Sequence, residues 1–222
     1  MDEQLEAVKA EEKTMKSINT GDANKAKPVN ADDYLTWFKK GNELYGVGQF
    51  EQAIKNYDKA LQIKQDDFET WNNRGIALGK LGRHEQAIEN YNKTLQIKPD
   101  KHETWYNRGN AFDMLGRHEE AIESYDKALQ IKPDYYETWN NRGNAFDMLG
   151  RHEEAIESYD KALQIKPDLH QAWYNRGVAL DDLGRYKEAI ESYDKTLQIK
   201  PDYELARNNR KLTLKKLGNN PN

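Results

Sequence analysis

Every tryptophan in the 222-residue chain stands 34 residues from the next: Trp37, Trp71, Trp105, Trp139 and Trp173. A glycine follows each by four residues (Gly41, Gly75, Gly109, Gly143, Gly177), an alanine by sixteen (Ala53, Ala87, Ala121, Ala155, Ala189) and a tyrosine by twenty (Tyr57, Tyr91, Tyr125, Tyr159, Tyr193). A fixed period of this length means one supersecondary unit used repeatedly, each copy too small to bury its apolar face alone. Two units are identical over Asn107–Asp134 and Asn141–Asp168, which points to recent duplication or to design.

Within the fourth unit, Trp139, Gly143, Phe146 and Leu149 share one helical stripe, and Ala155, Ile156, Tyr159, Ala162 and Leu163 make a second. Leu149-Gly150-Arg151 supplies a helix stop between them, and Pro167-Asp168 closes the second helix. The unit is therefore a helical hairpin. Gly143 and Ala155 carry almost no side chain, so the two backbones can approach and the aromatics can fill the space beside them. Units stacked in a line share a thin core, which reconciles 36% hydrophobic residues and a mean hydropathy of -1.10 with a stable fold. From Tyr203 to Leu217 a sixth unit begins with Arg207 where tryptophan is due, and it reads as a capping helix.

These residues resemble the tetratricopeptide repeat family, whose 34-residue pattern has Trp, Leu-Gly, a later Tyr, Ala, an aromatic and a closing Pro. The chain departs from it where Lys40, Arg74, Arg108, Arg142 and Arg176 precede the glycine in place of leucine, and where Gln65 replaces the first closing proline. The resemblance implies an all-α, right-handed superhelical solenoid of antiparallel helix pairs. Its organisation would be a tail or short helix with linker at 1–33, units at 34–67, 68–101, 102–135, 136–169 and 170–203, a capping helix at 204–217, and a disordered tail at 218–222. It implies a function as well, in which the first helices line a concave groove that binds a peptide or partner protein without catalysis.

On the family geometry the groove would be lined by Asn42, Asn73, Glu103, Tyr106, Asn107, Asn110, Asp113, Glu137, Asn141, Asn144, Asp147, Tyr174, Asn175 and Asp181, with Met114, Met148 and Asp182 beside them. Spacings of three and four put each set on one helix face. Asparagine offers both donor and acceptor, so a ladder of them could hold an extended backbone, while tyrosine and methionine supply adaptable apolar contacts. The competing reading is that the asparagines bridge adjacent helices within the scaffold. Carboxylates outnumber lysines on these faces, so a basic or neutral partner is expected. One subtype of the family grips the terminal carboxylate of chaperone tails with lysines, asparagines and an arginine. Those positions here hold Phe38, Asn42, Asn73, Glu103 and Asn107, so no such tail is expected to bind.

Other chemistries have little support. His84, His118 and His152 recur where other units carry Phe50 and Tyr186, which fits packing better than metal ligation. The pairs Glu119-Glu120 and Glu153-Glu154 begin helices, where negative charge suits the dipole. No cofactor, catalytic residue or metal ligand is assigned. A net charge of -4 and pI near 5.8 disfavour nucleic acid and anionic membranes, and RNA-reading helical repeats, the alternative nearest in architecture, need a positive track for phosphates that the acidic faces do not offer. No cysteine, no apolar span and no leader-like start point to the cytoplasm. The stronger alternative is a structural subunit or engineered scaffold that self-associates through its end faces or convex surface. Leu5, Val8 and Met15 form a weak stripe that could fold back into the groove.

Overall fold

The computed structural model describes residues 31–219; the stripe at Leu5, Val8 and Met15 lies outside them. Eleven helices and no strands occur among the described residues. They form five hairpins: α1 (Ala31–Gly46) with α2 (Phe50–Ile63), α3 (Phe68–Lys80) with α4 (His84–Ile97), α5 (His102–Met114) with α6 (His118–Ile131), α7 (Tyr136–Met148) with α8 (His152–Ile165), and α9 (His170–Asp182) with α10 (Tyr186–Ile199). A final helix, α11 (Glu204–Asn219), covers the last hairpin and runs two residues past the cap boundary expected from sequence. At the other end α1 takes in Ala31–Asp33, which the sequence reading left to the tail.

Each hairpin closes on a glycine. A Cβ built on Gly143 would lie 2.6 Å from Cε1 of Tyr159, and the same clash recurs between Gly109 and Tyr125. The glycine is therefore a slot for the tyrosine ring of the second helix, beside the alanine that sequence analysis singled out. Between the helices, Gly150 adopts φ +72°, and the Arg151 N–H returns to the Phe146 carbonyl at 2.9 Å, a stop that only a residue without a Cβ adopts freely.

Arginine before the glycine performs a structural task that leucine could not. Arg142 Nε donates to Asp126 in the preceding hairpin at 2.7 Å, and its Nη1 donates to Ser158 in its own second helix at 2.8 Å. One guanidinium thus ties three successive helices. Arg74, Arg176 and Arg210 bond in the same way to Asp58, Asp160 and Asp194. The indole N–H groups of Trp71, Trp105, Trp139 and Trp173 each donate to a carbonyl six residues earlier, as from Trp139 to Pro133 at 2.8 Å. In the cap Arg207 makes the equivalent bond to Pro201, also at 2.8 Å.

Consecutive first helices touch one another, whereas consecutive second helices do not among the described residues. A row that is closer-packed along one edge must curve toward it. The first helices consequently form the inner side of the array.

Candidate functional site

The inner side is lined by a repeating relay of tyrosine and asparagine. Tyr57, Tyr125 and Tyr159 hydroxyls donate to Oδ1 of Asn42, Asn110 and Asn144 at 2.8, 2.8 and 2.9 Å. Burial pushes the Tyr57 phenol up to about 12, and burial likewise raises those of Tyr125 and Tyr159, so all three stay protonated donors. The same Oδ1 atoms accept Nδ2 of the next unit's asparagine: Asn73 to Asn42 at 3.1 Å, Asn141 to Asn110 at 3.0 Å, Asn175 to Asn144 at 2.9 Å.

These bonds use both lone pairs of each receiving carbonyl. What Asn42, Asn110 and Asn144 can still offer is the amide N–H2, a row of donors suited to carbonyl oxygens. Bridging between helices is thus what one end of each side chain does, and the other end keeps its donors. Asn107 breaks the relay because its neighbour in the preceding unit is Ile76; its amide has no partner among the described residues. For the same reason the Tyr91 hydroxyl has no hydrogen-bond partner among them, although burial of the residue raises its pKa too.

The remaining expected residues fall into two groups. Tyr106 packs against Tyr125 and Tyr135 and accepts from Asn141 at 3.2 Å, and Tyr174 packs against Tyr193 and Tyr203 and accepts from Asn209 at 3.1 Å. Both are half-buried. Glu103 is exposed beside His102, at 3.2 Å, and Glu137 is half-exposed.

The aspartates are more engaged than their spacing implied. Asp113 and Asp147 each contact Nδ1 of His118 and His152 at 2.8 Å, and Asp181 pairs with Lys216 and accepts from Thr213 at 2.9 Å. The histidines, read from sequence as substitutes for aromatics, hold carboxylates across the turn. Nothing in the sequence signalled the pairing, because His84 has Gly79 in the aspartate's place, Asp181 has Tyr186 in the histidine's place, and the two units that carry both are copies of each other. Asp182 of α9 brings a carboxylate oxygen within 4.8 Å of ligand-type atoms of both Asp147 and His152. Met114 and Met148 are 68% and 69% exposed.

A family model described as tetratricopeptide repeat matches residues 68–101, 102–135, 136–169 and 170–203. The chain belongs to the tetratricopeptide repeat family. A second model of the repeat matches 41–82 across the first two units. Similar solved structures include MamA, 27% identical, with 79% of this chain and 97% of that one covered at a TM-score of 0.74. A second is YrrB, described as a TPR protein with an unusual peptide-binding site, 24% identical over 86% and 98% with a TM-score of 0.74. A MamA fragment from Desulfovibrio magneticus RS-1 is 20% identical over 78% and 98%, with a TM-score of 0.74. No curated protein matches. Tetratricopeptide proteins generally bind proteins or peptides without catalysis, and these relations support a protein-interaction scaffold. Among the described residues no helix is long and apolar enough to cross a membrane.

Proposed function

We propose that the inner side of the array is a groove that holds an extended peptide, or an extended segment of a partner protein, of basic or neutral character. The observation that carries this reading is the row of open groups that the scaffold leaves unused: the N–H2 donors of Asn42, Asn110 and Asn144 beside Met114 and Met148, which are 68% and 69% exposed. Amide donors in a line meet the carbonyl groups of an extended backbone and read little sequence, while thioethers adapt to varied side chains. Glu103, Glu137, Asp147 and Asp182 add negative potential along the same side, which favours cationic partners and faster association at low salt. An acidic chain end would meet Glu103 where the clamp subtype carries a lysine.

Asn141 and Asn144 hold the scaffold together, so the informative substitutions are at the open positions. A random peptide library selected on the full chain, in parallel with Met114→Lys/Met148→Lys, tests the reading. Peptides that lose about tenfold or more in affinity for the double variant are the expected result. Recovery of no peptides, or of peptides that bind both proteins equally, would remove the groove as the working surface.

A further inference from the structure

The groove is not uniform along its length, and two of its irregularities are complementary in chemistry. Between the first two hairpins lies a cavity of about 200 Å³ lined by Asn42, Tyr45, Tyr57, Asn73 and Ile76. It exists because this junction departs from the repeat. Ile76 stands where the third and fourth units have Asn110 and Asn144, Tyr45 where they have Asp113 and Asp147, and Gly79 where a side chain would otherwise project. A Cβ at Gly79 would meet only the Tyr91 hydroxyl, at 3.8 Å. That hydroxyl belongs to a ring 4% exposed and has no partner among the described residues. The cavity therefore has an isoleucine and tyrosine wall and an amide rim.

Three units further on, the opposite irregularity occurs. Asp182 occupies the position held by Met114 and Met148 in the preceding units, and its carboxylate lies within 4.8 Å of Asp147 and His152. His152 already bonds Asp147 at 2.8 Å on one oxygen. The carboxylates of successive first helices thus flank one place on the surface, half-buried at Asp147 and exposed at Asp182. Planar guanidinium matches paired carboxylates better than any other side chain. The identical unit before it has the Asp113–His118 pair but Met148 as the third group, so only this junction offers two acids.

We infer that the ligand of the groove is bipartite: a large apolar side chain seats in the Ile76 cavity, and an arginine or lysine bridges Asp147 and Asp182. This rests on the groove reading above and adds a register to it. Packed helices sit about 8–10 Å apart, so three unit steps span about 24–30 Å, a distance that extended chain covers in about 7–9 residues. The two anchors are therefore separated by about that many positions in the ligand, with the asparagine donors holding the backbone between them.

The test is the sequence statistics of a random 16-residue peptide library selected on the full chain and on two variants. Ile76→Asn installs the residue that the third and fourth units carry at this place, so it removes the apolar wall, gives Tyr91 an acceptor and leaves the fold its own consensus. Asp182→Asn removes one carboxylate from an exposed position. Circular dichroism and urea midpoints establish that both variants fold. Wild-type pools are expected to be enriched about tenfold or more in peptides with a large apolar residue about 7–9 positions from arginine or lysine. Ile76→Asn pools lose the apolar preference and keep the basic one; Asp182→Asn pools do the reverse. Groove-dependent peptides with no such spacing, or with preferences that neither variant changes, would overturn the bipartite register and leave the groove reading intact. Recovery of no peptide would overturn both.

Discussion

Arg108 is the one arginine of the inter-unit series whose Nε finds no partner. Its equivalents reach an aspartate of the preceding second helix, but here that position is Asn92, and Arg108 Nε is left buried and unpaired. Burial also lowers its pKa. Asn92→Asp restores the acceptor seen at Asp58, Asp126, Asp160 and Asp194, and a charge-assisted bond to a half-buried guanidinium is worth about 1.5 kcal/mol. A higher urea midpoint with an unchanged m-value is the expected result, and the gain shrinks at high salt. An unchanged or lower midpoint would mean that the Asp ladder contributes nothing to stacking. The opposite experiment is Gly143→Ala. Tyr159 Cε1 lies 2.6 Å from the added Cβ, so the ring or the helix must move, costing about 1–3 kcal/mol in the same urea titration. The need for a small residue at Gly143 was legible from its spacing to tryptophan, yet the group that fills the slot is Tyr159 rather than a backbone opposite Ala155. A period says which positions are equivalent; it does not say which of two aromatics points into a gap.

At the scale of helices, the start of α3 differs from those of α5, α7 and α9. Asp67 accepts from the Thr70 N–H at 2.9 Å and from its hydroxyl at 2.6 Å, and Lys64 bonds its other oxygen at 2.8 Å. Lys101, Tyr135 and Leu169 hold the same place before α5, α7 and α9 and make no side-chain cap. The exception falls where Gln65 replaces proline, so an N-cap stands in for a rigid chain reversal. Burial works to raise the pKa of Asp67, but the bonds from Lys64, Thr70 and Tyr34 outweigh it and hold the carboxyl below its ordinary value. A group depressed in the folded state adds stability above the unfolded pKa of about 3.9, and that contribution fades as pH falls through the folded value. Asp67→Ala is expected to cost about 1–2 kcal/mol at pH 7, with the deficit closing below about pH 4. A deficit that stays constant from pH 7 to pH 3 would show that the carboxylate charge is not what stabilises α3. Helix ends and the hairpin stop at Gly150 could be read from sequence because they depend on local backbone chemistry. The cap at Asp67 was hidden because Asp66 and Asp67 compete for it and only packing selects between them. The asparagine ladder was legible as a row, while its split between inward carbonyls and outward amides depends on contacts 31 residues apart, such as Asn141 to Asn110.

For the molecule as a whole, near-identity of the third and fourth units makes length an independent variable. Deleting residues 107–140 joins Tyr106 to Asn141 within an unchanged local sequence, since Asn107–Asp134 and Asn141–Asp168 are the same. The cut also removes two buried groups left without partners, Thr138 Oγ1 and Asn140 Oδ1. They are orphaned because Thr104 finds Asn72 at 2.8 Å one unit earlier, whereas Thr138 meets Tyr106 at the equivalent place and Asn140 meets Ala172. Stability of a linear array is a sum over units and interfaces, so the shortened chain keeps its helical signal per residue and loses about one fifth of its m-value, in proportion to surface buried. Collapse of the shortened protein to an unfolded or aggregated state would contradict nearest-neighbour stacking. The deletion also changes function in a defined direction. It removes one of the three steps between the Ile76 cavity and the Asp147–Asp182 pair, so the preferred spacing of apolar and basic residues in selected peptides is expected to fall by about 3 positions. A spacing that does not follow the length of the array would mean that the two anchors are not read by one ligand lying along the inner side.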